Sequence, residues 1–105
     1  MNGKRTLYEI YWEILTHCRT PKIFTNIIQR CSLNSKIGQI HIDFLLEKGY
    51  LKRFEEEGQN YLRSTIAAEL FLDFFKSMYV ELFNKSPSFK LGRRREPMFS
   101  NRNRR

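Results

Sequence analysis

The stretch from residue 45 to residue 65 constrains the fold more than any other part of the chain. A helical pattern stops at Gly49, a residue that takes the left-handed cap conformation without steric cost. Two short aromatic-rich runs follow, at residues 50–54 and 60–65, and a polar turn that contains Gly58 separates them. This arrangement predicts a β-hairpin. The chain therefore combines helices with a small antiparallel sheet.

The first of three helices before the hairpin is predicted between Thr6 and Cys18. Thr6 and Glu9 have the spacing of a capping box, in which each side chain satisfies a free backbone N–H of the other residue. Apolar residues recur at helical spacing and predict one buried stripe. They are Leu7, Ile10, Tyr11, Ile14 and Leu15. Trp12 lies on an adjoining face, which leaves that face free to meet something else.

The next two helices are predicted to form a helix-turn-helix unit, which requires a short helix, a tight turn and a second helix. The second helix should begin at Thr20-Pro21, because proline is favoured at the first helical position, and end near Cys31. The third helix should run from Ser35 to Lys48, with Asn34 or Ser35 as its cap.

A glycine near the start of the third helix has two interpretations. Gly38 either weakens the helix by about 1 kcal/mol relative to alanine, or it permits another helix or a ligand to approach the backbone closely. Ile42, Leu45 and Leu46 are predicted to face inward, and Ile37 and Phe44 to be partly buried.

A fourth helix, from about Thr65 to Asn84, is apolar on more than one face. One set of apolar residues steps by three and four, which is typical of a coiled-coil seam. Ile66, Leu70 and Phe74 make a second stripe. One small domain cannot cover so much apolar surface, so the helix is predicted to pack against its own copy in a homodimer. The residues assigned to dimerisation are Ala68, Phe71, Phe75, Met78, Leu82 and Trp12.

The charge of the chain is unevenly distributed. The formal net charge is +8, yet residues 1–84 carry 11 basic and 10 acidic side chains, whereas residues 85–105 carry 8 basic and one acidic. Helical periodicity also ends at residue 85. We therefore expect one folded domain over residues 1–84, with its dimerisation helix at 65–84, and a disordered basic tail over residues 85–105.

Several function classes lack support in the sequence. No Gly-rich phosphate loop and no recognisable nucleophile–base set is present, so we expect no enzyme activity and no cofactor. Cys18 and Cys31 are interpreted as buried thiols, the alternatives being a mutual disulfide or a metal site, for which no preorganising spacing exists. No run approaches the roughly 20 apolar residues of a membrane span. We expect a cytoplasmic, nucleoid-associated protein without membrane contact.

The order of elements, three helices, a hairpin and a long helix, is that of a winged helix-turn-helix domain, a mainly α fold with a small β-hairpin (α+β). Residues 34–36, 42–51 and 64–65 further resemble small archaeal winged-helix DNA-binding proteins and transcription regulators that dimerise through a C-terminal helix. The resemblance covers roughly residues 5–84. It implies a homodimer on double-stranded DNA, with two third helices in successive major grooves and the wings along the flanking backbone.

The candidate DNA-binding residues come from the start of the third helix, where positions match the groove-facing surface of that family, from nearby basic side chains, and from the tail. They are Asn34, Ser35, Lys36, Gln39, Ile40, Lys22, Arg30, Lys52, Arg53, Arg63, Arg93, Arg94 and Arg95. Glutamine can read adenine through two hydrogen bonds, and the arginines of the tail can neutralise phosphates. The alternative interpretation of the third helix is an ordinary solvated surface.

The wing tip favours a second hypothesis. Glu55-Glu56-Glu57 would repel phosphate, and the domain without its tail is almost neutral. The chain would then be a protein-interaction module that binds a protein of the transcription machinery. A non-specific architectural DNA-binding protein is the intermediate case.

Overall fold

The computed structural model describes residues 5–87. The predicted mainly helical fold with one hairpin is confirmed. The tail residues Arg93, Arg94 and Arg95 lie outside the described residues. The elements are α1 (Leu7–His17), α2 (Phe24–Arg30), α3 (Ser35–Glu47), β1 (Leu51–Glu56), β2 (Gln59–Ser64) and α4 (Ile66–Phe83).

Helix α1 begins at the predicted capping box. The backbone N–H of Glu9 donates to Thr6 Oγ1 at 3.1 Å, and the backbone N–H of Thr6 donates to Glu9 Oε1 at 2.8 Å. The predicted stripe is buried at Tyr11, Ile14 and Leu15. The expectation for Leu7 is wrong: its side chain is exposed, since it lies in the first turn, ahead of the residues that pack in the core.

Helix α2 begins three residues later than expected: Ile23 and Phe24 are its cap and first residue, in place of Thr20 and Pro21. Lys22 forms an isolated antiparallel bridge with Leu62 of β2: each backbone N–H donates to the other residue's carbonyl oxygen, at 3.0 and 2.8 Å. This pairing holds the segment extended, so the helix starts only after Ile23, whose side chain cannot cap it. The expected start of the helix was therefore wrong because the hydrogen bonds between Lys22 and Leu62 join residues far apart in the sequence.

Helix α3 is capped at both ends as expected. Asn34 Oδ1 accepts a hydrogen bond from the Ile37 backbone N–H at 2.8 Å. Gly49 follows the helix with φ +79°, the left-handed conformation that glycine adopts without strain. The N–H of Tyr50 reaches back to the carbonyl oxygen of Leu45 at 2.9 Å, which closes the helix and aims the chain into β1.

The two strands form one antiparallel hairpin, with Glu56 paired to Gln59 at its end. Its turn is shorter than the expected residues 55–59, because strand pairing continues to Glu56. Only Glu57 and Gly58 remain in the loop, with φ of 54° and 78°. Two consecutive positive φ angles are characteristic of a type I′ turn, whose twist matches that of the flanking strands.

Side chains from all the helices and both strands meet in one apolar core between α1, α2, α3 and the hairpin, and α4 closes one side of it. The buried residues at its centre are Ile14, Leu15, Ile27, Ile42, Leu45, Leu51, Leu62, Ala68 and Leu72. No helix within residues 5–87 is long and apolar enough to cross a membrane.

Helix α4 starts after Thr65 and ends at Asn84, as expected. Three residues assigned to dimer contact instead pack within the protomer. Ala68 and Phe75 are buried, and the Trp12 ring stacks on Phe75 with centroids 6.2 Å apart. These side chains already have partners within one copy, although Trp12 is only half-buried and Phe75 also lines an apolar groove at the surface.

Candidate functional site

The first two turns of α3 carry the first group of candidate residues. Asn34, Ser35, Lys36, Gln39 and Ile40 are all exposed, and the helix brings them together on its outer side. Asn34 also caps the helix, so its side-chain oxygen is already engaged with a backbone N–H.

The exposed surface of α3, taken together with the residue that follows the helix, has no net charge. Lys36 and the C-cap residue Lys48 are balanced by Asp43 and Glu47. Gln39 Nε2 donates to Asp43 Oδ1, one turn further along the helix, at 2.8 Å. The nitrogen of the Gln39 amide is therefore already engaged. A cationic recognition surface is therefore not built into this helix.

Apolar side chains fill much of the remaining outer surface of α3. Ile37 is 41% exposed, Ile40 56% and Phe44 37%. Ile37 and Phe44, which were expected to be partly buried, are both exposed, although the Phe44 ring stacks on Tyr11 with centroids 5.3 Å apart. The surface that the helix presents thus mixes apolar with polar side chains.

A groove of about 270 Å³ lies between α3 and the hairpin. It brings two of the candidate residues together, Gln39 from α3 and Arg53 from β1, and adds a residue that the sequence analysis missed, Asn60 of β2. Phe24 and Leu62 form the apolar part of its lining. Asn60 is diagonal to Arg53 across the hairpin, a relation that follows only from the strand register.

The remaining cations of the hairpin lie on its other face. Lys52 is directly opposite Arg63, and directly opposed residues of an antiparallel pair share a face, whereas Arg53, the next residue along β1, points to the opposite one. Lys52 and Arg63 line a separate depression of about 440 Å³ beside Thr65 at the start of α4. The structure therefore divides the three wing cations between two surfaces.

The two candidate cations of α2 and the segment before it, Lys22 and Arg30, have different surroundings. Lys22 is half-buried in the bridge to Leu62, and its Nζ is bonded to Thr20 Oγ1. Arg30 is exposed in the last turn of α2.

The tip and outer face of the hairpin combine acids with aromatic rings. Glu55, Glu56 and Glu57 are all exposed, as the sequence indicated. Phe54 and Tyr61 stack on the face that carries Lys52 and Arg63, with ring centroids 5.7 Å apart. A polyanion that contacts this hairpin would have to approach its base rather than its tip.

Burial favours the neutral forms of two cysteines and two histidines. Burial raises the pKa of the Cys18 and Cys31 thiols to about 12. Burial, together with the nearby Arg5 guanidinium, lowers the pKa of His41. Burial also lowers the pKa of His17, against the opposing effect of its 2.6 Å hydrogen bond to Asn26. Within the described part of the chain, no cluster of His, Cys, Asp and Glu side chains could hold a metal ion.

Helix α4 exposes an apolar stripe whose residues follow one another at intervals of four. Leu70 is 75% exposed and Phe74 65%. Phe74 and Met78 also line an apolar groove of about 410 Å³ with Tyr8 of α1. The stripe consists of Ile66, Leu70, Phe74, Met78 and Leu82.

Comparison with known proteins agrees with this architecture. A family model described as winged helix-turn-helix matches residues 4–78. None of the curated proteins matches the chain.

Three solved structures share the fold. Sso10a-2, a DNA-binding protein from Sulfolobus solfataricus, superposes with a TM-score of 0.65 at 23% identity, over 76% of this chain and 87% of its own. A cysteine-to-serine mutant of MarR from E. coli, complexed with operator DNA, gives 0.61 at 12% identity, over 75% of this chain and 59% of its own. SSV1 F-93 superposes with a TM-score of 0.55 at 15% sequence identity. The match covers 80% of this chain and 97% of SSV1 F-93.

Proposed function

The chain belongs to the winged helix-turn-helix family, and on this basis we propose that it binds double-stranded DNA as a homodimer and acts as a transcription regulator on the nucleoid. The observation that carries the proposal is the outer side of α3. Its first two turns are exposed, and they border a groove in which Gln39 faces Arg53 across the gap to the hairpin.

The likeness to DNA-binding proteins supports the same proposal. Sso10a-2 is described as a DNA-binding protein, and the MarR mutant was solved on operator DNA. An α-helix fits the major groove of B-DNA, whose width is about 12 Å. Helix α3 would occupy that groove, with Ser35 and Lys36 on the backbone and Gln39 and Ile40 at base edges.

Gln39 would change partner on binding. Its amide is bonded to Asp43 in the free protein, and a bidentate contact to adenine requires both its oxygen and its nitrogen. Arg53 lies at the far side of the same groove and would hold the phosphates that flank the site.

The second copy would dock through α4. The stripe that contains Leu70 and Phe74 is exposed along the length of the helix, and contiguous exposed apolar patches mark interaction sites. A twofold pairing would set two α3 helices at a fixed separation, which suits two half-sites on one face of DNA.

Most of the electrostatic attraction would come from the tail. Residues 85–105 carry 8 of the 19 basic side chains, and the rest of the chain is nearly neutral. Contacts from Arg93, Arg94 and Arg95 to phosphates would release counterions, which adds affinity without sequence preference.

A salt titration tests the proposal. The affinity of the full-length protein for a random-sequence duplex is measured by fluorescence anisotropy over a series of salt concentrations, alongside the variant with Arg93, Arg94 and Arg95 replaced by Gln. The slope of log K against log salt should fall by up to about 0.9 for each phosphate that is no longer neutralised. Lys76→Gln, a neutralisation on α4, is the control and should leave the slope unchanged. Absence of binding by the full-length protein would contradict the proposal.

A second candidate function is favoured by the apolar and charge-balanced surface of α3 together with the acidic tip of the hairpin. In this case the domain binds a protein of the transcription machinery rather than DNA. The same titration separates the two functions, because a protein-interaction module would not bind the random duplex tightly. Equal affinity for further duplexes of defined sequence would instead indicate an architectural DNA-binding protein.

A further inference from the structure

We infer that Ile40, with Ile37 beside it, reads the C5-methyl group of thymine in the major groove, so that thymine content sets the sequence preference of this protein. The inference rests on the proposed DNA binding and names the feature of the base that α3 would recognise.

The position of Ile40 on α3 is the first support. Gly38, Ile42 and Leu45 turn toward the core. At about 100° per residue, Ile40 lies almost diametrically opposite their mean direction. It is therefore one of the residues that point away from the core, with Lys36 and Glu47 on the same side, and it is the apolar one among them.

The chemistry of the neighbouring side chains is the second support. Ile37 and Ile40 are three residues apart, so their side chains are neighbours on the helix surface. Both are exposed, and together they make an aliphatic ridge. Thymine is the standard base that presents a methyl group in the major groove, and apolar side chains are what contacts it there.

The third support is that few polar side chains of α3 are available to form hydrogen bonds with base edges. The amide of Gln39 is held by Asp43, and Lys36 is the one basic side chain among the residues from Asn34 to Ile40. Arginine, the usual reader of guanine, is absent from the described α3. Beside Gln39, which has to leave Asp43 before it can contact a base, the exposed apolar side chains at the start of α3 that can discriminate bases are the two isoleucines.

A protein partner fits this ridge less well. Lys36 and Asp43 flank Ile40 at the neighbouring helical positions, and Glu47 lies on the same side two turns on. The centre of a protein interface is depleted of charged residues. The floor of the major groove, in contrast, intersperses methyl groups with polar base edges, and the mixed surface of α3 matches that pattern.

The test removes or adds the methyl group alone. Affinity of the full-length protein is measured by anisotropy for an alternating A·T duplex and for the same duplex with uracil in place of thymine, at one salt concentration. An alternating G·C duplex and its 5-methylcytosine form provide a second pair, in which the methyl group is added at the corresponding ring position. The methylated member of each pair should bind more tightly, by about fourfold for each methyl group fully buried, from roughly 0.8 kcal/mol per CH₂.

Variants assign the effect to the ridge. Ile40→Ala should bring the ratio of affinities within each pair close to one, and Ile37→Ala should reduce it partly. Neither change removes a buried side chain, and alanine favours helix, so both variants should fold. Lys36→Ala is the matched control: it should weaken binding to all four duplexes equally and leave the ratios intact.

The possible failures are distinguishable. If the protein binds none of the four duplexes, the proposed function fails and the inference fails with it. If it binds them all and the methyl group makes no difference, DNA binding stands and the inference is overturned. If the ratios persist in Ile40→Ala, the methyl group is read elsewhere and the assignment to this residue is overturned.

Discussion

Gly38 of α3 lies directly against Ile28 of α2: a Cβ atom built on Gly38 would come within 2.0 Å of Ile28 Cδ1. Of the two interpretations of this glycine, close approach of another helix is therefore correct. The approach sets the distance between the two helices of the helix-turn-helix unit, and hence the position of the residues at the start of α3.

This contact predicts coupling between the two positions. Gly38→Ala should gain about 1 kcal/mol of helix propensity but lose about 1–3 kcal/mol to overpacking against Ile28, a net destabilisation of up to about 2 kcal/mol. Ile28→Val removes Cδ1 and should cost about 0.5–1.5 kcal/mol alone. In the Ile28→Val background, Gly38→Ala should become stabilising. The unmodified protein, the two single variants and the double variant form a double-mutant cycle, which urea unfolding measures. Strictly additive changes in the free energy of unfolding would contradict the contact.

Two Arg–Glu pairs of the protein differ in burial and should differ in their contribution to stability. The Arg5 guanidinium contacts the carboxylate of Glu13, which is 1% exposed. Arg19 bonds Glu69 through two nitrogens at 3.1 and 3.2 Å, but both side chains are largely exposed to solvent.

Arg5→Ala should therefore destabilise the fold more than Arg19→Ala does, by up to about 3–5 kcal/mol, since it takes the Arg5 cation away from a buried carboxylate. Arg19→Ala, the matched control, should change the free energy of unfolding by no more than about 1 kcal/mol, because water and salt screen an exposed pair. Chemical denaturation at neutral pH measures both. Equal effects of the two variants would show that burial does not govern these pairs.

The buried thiols predict a pH dependence. The pKa of Cys18 and of Cys31 is raised from 9.0 to about 12 in the folded protein, chiefly by burial. Since the folded state favours the neutral thiol, this contribution to stability is complete below pH 9 and is lost as the pH rises from 9 toward 12.

The thiolate is the reactive form, and at pH 8 a pKa of about 12 leaves about one thiol in ten thousand ionised. Ellman's reagent should therefore label neither cysteine in the native protein on the time scale of minutes, and both at once in denaturant. The variant Ser32→Cys, at an exposed position beside Cys31, serves as the positive control. Rapid native labelling of the unmodified protein would contradict the burial of these thiols.

Local signals in the sequence predicted much of the fold. The capping box at Thr6, the cap at Asn34 and the stop at Gly49 each depend on hydrogen bonds within a few residues, and each is confirmed. The start of α2 was not predictable in the same way, because Lys22 pairs with Leu62, 40 positions along the chain.

The residues of the candidate site also fall into two groups: those that local sequence signals predict and those that depend on distant parts of the chain. The exposed start of α3 follows from helical periodicity alone. The addition of Asn60 and the separation of Arg53 from Lys52 follow from strand register, which the five-residue turn expected from the sequence would have altered. The burial of Ala68 was not foreseen as core packing because α4 is apolar on several faces, and only tertiary packing decides which face turns inward.

The exposed stripe of α4 predicts the oligomeric state. A charge at Leu70 or Phe74 would be buried in the proposed dimer but solvated in the monomer, so Leu70→Glu and Phe74→Glu should each convert a dimer into a folded monomer in sedimentation equilibrium. Lys76→Glu also places an acid on α4, but away from the stripe, and should remain dimeric. A monomeric unmodified protein at micromolar concentration would contradict the proposed pairing.

The hairpin turn offers a change whose effects on folding and on binding can be separated. Glu57 is in the left-handed region at φ 54°, the first of two positive φ angles before β2. This conformation costs a residue with an ordinary side chain roughly 1–2 kcal/mol, and it costs asparagine less. Asn-Gly is the preferred pair for a type I′ turn.

Glu57→Asn should therefore stabilise the protein by about 1 kcal/mol, a rise in Tm of roughly 4–8 °C for a domain of this size. It also removes one negative charge from the tip, so duplex affinity should rise at low salt, and the gain should shrink as salt screens the charge. Glu55→Gln is the matched control, because it removes a neighbouring charge without altering the turn. It should reproduce the gain in affinity and leave Tm almost unchanged. If Glu57→Asn raises Tm while neither variant affects affinity, the turn geometry is as described and the tip of the wing lies away from DNA.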